Sequence, residues 1–197
     1  MGPGPSDVHP RVLGAMAKAT IGHLDPEFIA LMEDIKELLR YSFRTENKLT
    51  LPLSAPGSAA MEASFANLVE AGDKVIVCIN GVFGMRMAEN VRRMNGDLVT
   101  VEDAWGTQVD PEKVEAALKA NPKAKILAFV HAETSTGVGS DAKTLCALAQ
   151  QYDCLSIVDS VTGLAGIELE VDAWKADVTY SGTQKCLSAP PGISLIT

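Results

Sequence analysis

The chain has 197 residues, of which 47% are hydrophobic, 21% charged and 5% aromatic, a balance that suits a folded domain with a sizeable core and excludes a disordered chain. Its 17 Lys and Arg against 25 Asp and Glu leave a formal charge of −8, which argues against a surface built to neutralise nucleic-acid phosphates or anionic lipid. The longest apolar runs, 75–79 and 126–130, fall far short of the roughly 20 residues that cross a bilayer, so neither nucleic acid nor membrane is an expected partner.

Residues 25–41 place Phe28, Leu31, Met32, Ile35, Leu38 and Leu39 at helical spacing, behind Asp25 as N-cap and Pro26 at the first helical position. Beyond this helix the pattern changes to short apolar runs at 49–53, 74–79, 98–101, 125–130, 154–158 and 178–180, with loops and helical stretches between them. Asp110-Pro111 opens a helix over 112–119, and Asp141 opens another over 142–151. Such alternation predicts an α/β fold, a mostly parallel sheet with helices on both faces. The last residues, PPGISLIT, read as a strand just beginning after a Pro-Pro-Gly turn, which sets the expectation that this is the N-terminal part of a longer protein.

Cys78, Cys146, Cys154 and Cys186 form no CxxC pair and are expected as reduced, mostly buried thiols. The leading MGPGPSDVHP has neither a basic lead nor an apolar run of the secretory kind, and the cytoplasm or an organelle matrix is the expected compartment. His9, His23 and His131 are scattered, so no metal site is expected.

Ligands in open α/β sheets bind at the carboxyl ends of the strands, so the informative residues are those just after each apolar run. After 49–53 comes SAPGSAAMEA, where Gly57 and Ser58 open a helix starting near Ala59 and present an anion-binding turn. After 74–79 comes NGVFGMR, with Phe83 between two glycines. After 125–130 comes HAETSTGV, rich in hydroxyls at Thr134, Ser135 and Thr136. Asp159, Ser160 and Val161 follow 154–158, and SGTQKCLSAPPG, carrying Lys185, follows 178–180. GxGxxG and GxxxxGK[ST] are both missing, which removes the usual motifs for dinucleotides and nucleoside triphosphates. A phosphate cradle, a stacking aromatic, hydroxyl donors, a strand-end carboxylate and a loop lysine together suit pyridoxal phosphate. That cofactor needs its phosphate neutralised, its pyridine nitrogen kept protonated and an amine to bond its aldehyde.

The run IVDSVTGLAGIELEVDAWKADVTYSGTQKCLSAPPGISLIT, with GPGPS at the start and HAETSTGV between, closely resembles class V pyridoxal-phosphate aminotransferases of the alanine–glyoxylate and serine–glyoxylate (serine–pyruvate) group. The resemblance spans nearly the whole chain. It implies the large domain of fold type I, residues 1–24 lining the active site, residues 25–197 forming the cofactor-binding domain, and a small C-terminal domain beyond them. It identifies Lys185 in SGTQK as the lysine that bonds the cofactor and Asp159 in VDS as the partner of the pyridine nitrogen. By the same resemblance Thr134 approaches the phenolic oxygen, Val161 covers one face of the ring, and Gln184 holds the phosphate with Gly57 and Ser58. Two motifs depart from the family pattern. Pro56 supplies neither hydroxyl nor N–H to the phosphate loop, and Ser58 stands where some relatives carry His. Phe83 stands where some relatives carry Trp.

The expected activity is transfer of an amino group from a small amino acid, alanine or serine, to a small 2-oxo acid, glyoxylate or pyruvate, by a homodimer with shared active sites. The rivals are another class V enzyme, such as a cysteine desulfurase or lyase, and a catalytically silent binding domain of the same fold. The desulfurase group commonly stacks His on the ring, where this chain offers Phe83; intact Lys185 and Asp159 argue against silence. GPGPS is expected to fold over the substrate side, where a rigid Pro-Gly backbone leaves little room for a long side chain. The substrate carboxylate is expected to be gripped by an arginine of the C-terminal domain, leaving Arg11, Arg40, Arg44, Arg86, Arg92 and Arg93 as solvated or structural.

Overall fold

A computed structural model describes residues 4–197. Two helices come first, α1 (Pro10–Met16) and α2 (Pro26–Phe43). The start of α2 is set as the sequence dictates: Pro26 occupies the first turn, and the Asp25 carboxylate accepts the Glu27 N–H at 2.8 Å. There follow β1 (Leu51–Leu53), α3 (Gly57–Leu68), β2 (Lys74–Ile79), α4 (Val82–Arg93), β3 (Asp97–Glu102), α5 (Pro111–Ala120) and β4 (Ala124–Val130). A short hairpin of β5 (Ala132–Glu133) and β6 (Val138–Gly139) leads to α6 (Ala142–Gln151), β7 (Leu155–Asp159), α7 (Val171–Trp174), β8 (Val178–Gly182) and β9 (Ser194–Ile196). Asp110 and Asp141 cap α5 and α6 through their side chains, accepting the N–H groups of Glu112 and Thr144.

Seven strands form one sheet in the order β1-β9-β8-β7-β4-β2-β3. The pairings among β3, β2, β4, β7 and β8 are parallel, while β9 runs antiparallel to both β8 and β1. The final apolar run is therefore a strand, seated inside the sheet. Burial on both faces explains why the central strands read as unbroken apolar runs. Along β2, Ile76 and Cys78 pack into the core with α2, α5 and α6, through Phe43, Leu118 and Leu145 among others. Val75, Val77 and Ile79 pack into the opposite core with Met61 and Phe65 of α3 and Met87 and Val91 of α4.

Helix α4 begins only three residues after β2 ends, so Phe83 lies in a helical first turn and not on a free loop. Its interior glycine has a packing reason: a Cβ on Gly84 would come within 2.6 Å of the Cys78 carbonyl oxygen, so only glycine lets α4 cross so close to β2. The parallel strands end along one side of the sheet, and the register aligns Val130, Asp159 and Tyr180 across β4, β7 and β8 there.

Candidate active site

The carboxyl ends of the strands, with the α3 and α4 N-termini, surround a cleft of about 140 Å³. It collects Gly57 and Ser58 from α3, Phe83 from α4, Asp159 and Val161 from the end of β7, and Gln184 and Lys185 from the loop after β8. Thr134 is set outside that lining, its hydroxyl hydrogen-bonded to the Thr162 hydroxyl.

At the α3 end, Pro56 is the N-cap and provides no side-chain hydrogen bond, which leaves the first-turn N–H groups without a capping side chain. The backbones crowd here: a Cβ on Gly57 would contact Val161 at 3.4 Å, and one on Gly182 would come within 2.8 Å of Gln184 Oε1. That amide oxygen is buried and finds no hydrogen-bond partner among the described residues. The corner thus offers an open helix turn and an unsatisfied amide to a ligand.

Asp159 forms the floor. It is 2% exposed, its Oδ1 accepts the Val161 N–H at 2.9 Å, and its Oδ2 accepts the Tyr180 hydroxyl at 3.0 Å. Burial pushes its carboxyl up to about 6, against the two hydrogen bonds and the Arg86 charge, which act to lower it. It forms no salt bridge among the described residues, so a cationic ligand atom would meet a carboxylate that lacks a counter-charge. Tyr180 sits beside Asp159 because β8 pairs with β7 in parallel register, which is invisible to local sequence.

Phe83 is positioned by a cap from another loop. Glu133, 1% exposed, accepts the Phe83 N–H at 3.1 Å through Oε2 and the Ser135 N–H and hydroxyl at 3.0 and 2.6 Å through Oε1. Ser135 in turn accepts the Val82 N–H at 3.0 Å. A Cβ on Gly81 would run into the Glu133 side chain, so this cap requires the bare glycine of the Asn-Gly pair. Ser135 is one of three hydroxyls evident in the loop sequence, whereas nothing within HAETSTGV ties Glu133 to a helix 50 residues earlier.

Arg86 is exposed, as expected of a solvated arginine, and it also lines the cleft. It lies three residues after Phe83 on α4, with its guanidinium 4.9 Å from the Phe83 ring centroid. His131 belongs to the core: burial pushes it down to about 4, and its ring meets Trp174 edge-on at 5.6 Å. At the opposite lip, Ser6 donates its N–H to the Gln184 carbonyl at 3.2 Å and its hydroxyl to the Lys185 carbonyl at 2.9 Å. Gly4 packs on the Lys185 stem, so this part of GPGPS runs over the lysine loop; Gly2 and Pro3 fall outside the described residues. The arrangement suits a ligand that is anionic at one end, flat in the middle and cationic where it meets Asp159.

The family described as Aminotransferase class-V matches residues 6–197. The chain is 38% identical over 198 residues to an alanine–glyoxylate aminotransferase of Drosophila melanogaster, covering all of this chain and 50% of that protein. It is 40% identical over 197 residues to an (S)-ureidoglycine–glyoxylate transaminase of Bacillus subtilis, covering all of this chain and 47% of that protein. The solved structure of an alanine–glyoxylate aminotransferase from Nostoc sp. superposes with a TM-score of 0.97 at 45% identity, covering all of this chain and 52% of that one. The chain therefore spans about half the length of the relatives it matches. With the fold, the order of the motifs and the whole-chain similarity in agreement, this chain belongs to the class-V aminotransferases, which are pyridoxal-phosphate enzymes of fold type I.

Proposed function

We propose that the whole protein, of which this chain supplies the cofactor-binding part, moves an amino group from a small amino acid, alanine or serine, to a small 2-oxo acid, glyoxylate or pyruvate. The observation that carries this reading is that Asp159, the last residue of β7, and Lys185, in the loop after the neighbouring β8, line one cleft with the open first turn of α3. Glyoxylate in the names of the similar proteins supports the acceptor.

The residues fit pyridoxal phosphate. The uncapped α3 turn suits its phosphate, Phe83 and Val161 offer apolar walls to its ring, and the Asp159 carboxylate suits its protonated nitrogen. When bound, the cofactor supplies an electron-withdrawing ring that lowers the barrier to removing a proton from the substrate α-carbon. Lys185 Nζ would hold the cofactor covalently and, once displaced by the substrate amine, take that proton and return it. Asp159 would keep the ring nitrogen protonated, with Val161 N–H and the Tyr180 hydroxyl fixing the carboxylate in place. Gly57, Ser58 and Gln184 would hold the phosphate, Phe83 would stack on one ring face with Val161 on the other, and Thr134 would approach the phenolic oxygen.

The Ser6 hydrogen bonds support residues 1–24 as a strap at the site and a small substrate beneath it. Pro56 subtracts a donor from the phosphate loop, which supports a homodimer whose second subunit completes the site. That the similar proteins are about twice this length supports a grip on the substrate carboxylate outside the described residues. Four free cysteines, three of them buried, support a reducing compartment, the cytoplasm or an organelle matrix; no described helix is long and apolar enough to cross a membrane.

The test is a donor panel on the full-length protein, compared by kcat/KM at fixed acceptor, with Lys185→Ala as control. Alanine or serine with glyoxylate or pyruvate should outperform aspartate, glutamate and aromatic donors, and Lys185→Ala should abolish turnover. A clear preference for glutamate, or sulfide released from cysteine without amino transfer, overturns the assignment.

A further inference from the structure

We propose that Arg86 is the cation that holds the cofactor phosphate on this chain, a role that rests on the cofactor reading above. Of the described residues that line the cleft, two are basic, Lys185 and Arg86. The Lys185 amine is committed to the cofactor carbon and to proton movement, so it is not available to neutralise the phosphate. A phosphate ester carries roughly 1.5 to 2 negative charges near neutral pH, whereas a helix N-terminus offers only about half an elementary charge. Here that terminus is also poorer than usual, because its N-cap is Pro56. A positive charge beside that turn would supply this chain's own share of the balance, and Arg86 is the lining residue that carries one free of other duties.

The local geometry places it for that task. Arg86 Nη1 donates to Ser58 Oγ at 3.4 Å, which puts the guanidinium at the first turn of α3, beside the residues expected to cradle the anion. Its planar group lies 4.9 Å from the Phe83 ring centroid, a stack that restrains the fork and lowers the entropy lost when it grips a phosphate in bidentate fashion. No carboxylate among the described residues pairs with Arg86, whereas Arg40, Arg44, Arg92 and Arg93 each meet a glutamate. A cation that is oriented, unpaired and set in the mouth of an anion site is a ligand group in waiting. The two departures from the family pattern fall into place as well. Ser58 is short enough to accept from Arg86, and Phe83 gives the guanidinium a flat face to rest on.

The experiment compares full-length wild type, Arg86→Gln and Arg86→Lys by titrating each apoprotein with pyridoxal phosphate and with pyridoxal, which lacks the phosphate. Following the visible absorbance gives a Kd for each. Arg86→Gln should raise the Kd for pyridoxal phosphate about 10-fold or more, the scale of one hydrogen bond to a charged group. The Kd for pyridoxal should stay unchanged. Arg86→Lys should recover part of the loss, having the charge without the fork, and inorganic phosphate should compete with pyridoxal phosphate more weakly in Arg86→Gln than in wild type. Equal weakening of both ligands, or of neither, overturns the assignment. So does a raised KM for the amino donor with cofactor affinity intact, which would make Arg86 a grip on the substrate carboxylate. Borohydride reduction of the wild-type holoenzyme should leave a pyridoxyl group on Lys185; its absence there overturns the underlying site reading, whatever the Arg86 variants do.

Discussion

Replacing Asp159 by Asn keeps the shape of the side chain and removes its charge, and the structure gives the consequence a sign and a size. The carboxyl ordinarily ionises near 3.8 and is pushed up to about 6 by burial. The folded state therefore binds the proton more tightly than the unfolded chain, so stability is greatest below about pH 4 and is lost as pH rises from about 3.8 to about 6. At ~1.36 kcal/mol per pH unit, the buried charge costs the apoprotein about 3 kcal/mol above that window. The amide of the Asp159→Asn variant would carry none of this cost and, like the protonated carboxyl, would offer one neutral acceptor oxygen to Val161 N–H or the Tyr180 hydroxyl, whose bonds to the carboxylate are already part of that shift. Apo Asp159→Asn should then be more stable than its parent by about 3 kcal/mol at about pH 8 and nearly equal to it at about pH 4. Urea unfolding of both apoproteins at several pH values measures this directly, and titrating groups that do not interact with Asp159 cancel in the difference. Pyridoxal phosphate should reverse the order, because the protonated ring nitrogen would compensate the carboxylate, and the variant's proton-transfer barrier should rise by several kcal/mol. A stability difference that does not change with pH would refute the reasoning, since Asp159 would then carry no buried, uncompensated charge.

Two further perturbations separate site from scaffold. Phe83→Ala should weaken cofactor retention by about 1 kcal/mol or somewhat more, the scale of an aromatic stack, as read by equilibrium dialysis. Equal loss of thermal stability with and without cofactor would make Phe83 an ordinary packing residue. Glu133→Ala strips the partner from the Phe83 N–H and from Ser135, and should lower the unfolding free energy by about 2 to 4 kcal/mol in urea. A change within about 0.5 kcal/mol, the range of a neutral surface substitution, would show that the α4 terminus does not depend on this cap.

Helix α2 and the starts of α5 and α6 were legible because their signals are local. An Asp followed by Pro or by a helical stretch solves the exposed N–H problem within one turn, whatever the rest of the chain does. Strands β2 and β4 were legible because a strand buried on both faces has no polar alternation to interrupt it. Lys185 and Asp159 were legible because strand ends in such sheets converge, and a charged residue just past an apolar run is exposed to that convergence. Helix α4 was less so: a glycine in its interior weakens the local helical signal, and its reason, the approach of the backbone to Cys78, is a contact between elements.

Local sequence is enough for the α/β alternation, the capped helices, the order of the chemical groups along the chain and the family to which those motifs point. All of these follow from spacing and side-chain chemistry within a few residues. What surrounds each group depends on how the elements pack. Packing sets Tyr180 against Asp159 through the β7–β8 register, Glu133 under Phe83 across 50 residues, Arg86 at the mouth of the cleft beside Ser58, and Ser6 against Lys185 across 179. Charge and hydrogen bonding act through space over a few ångströms, whereas sequence pattern reports neighbours along the chain, so the residue types of a site are written locally and their electrostatics are not.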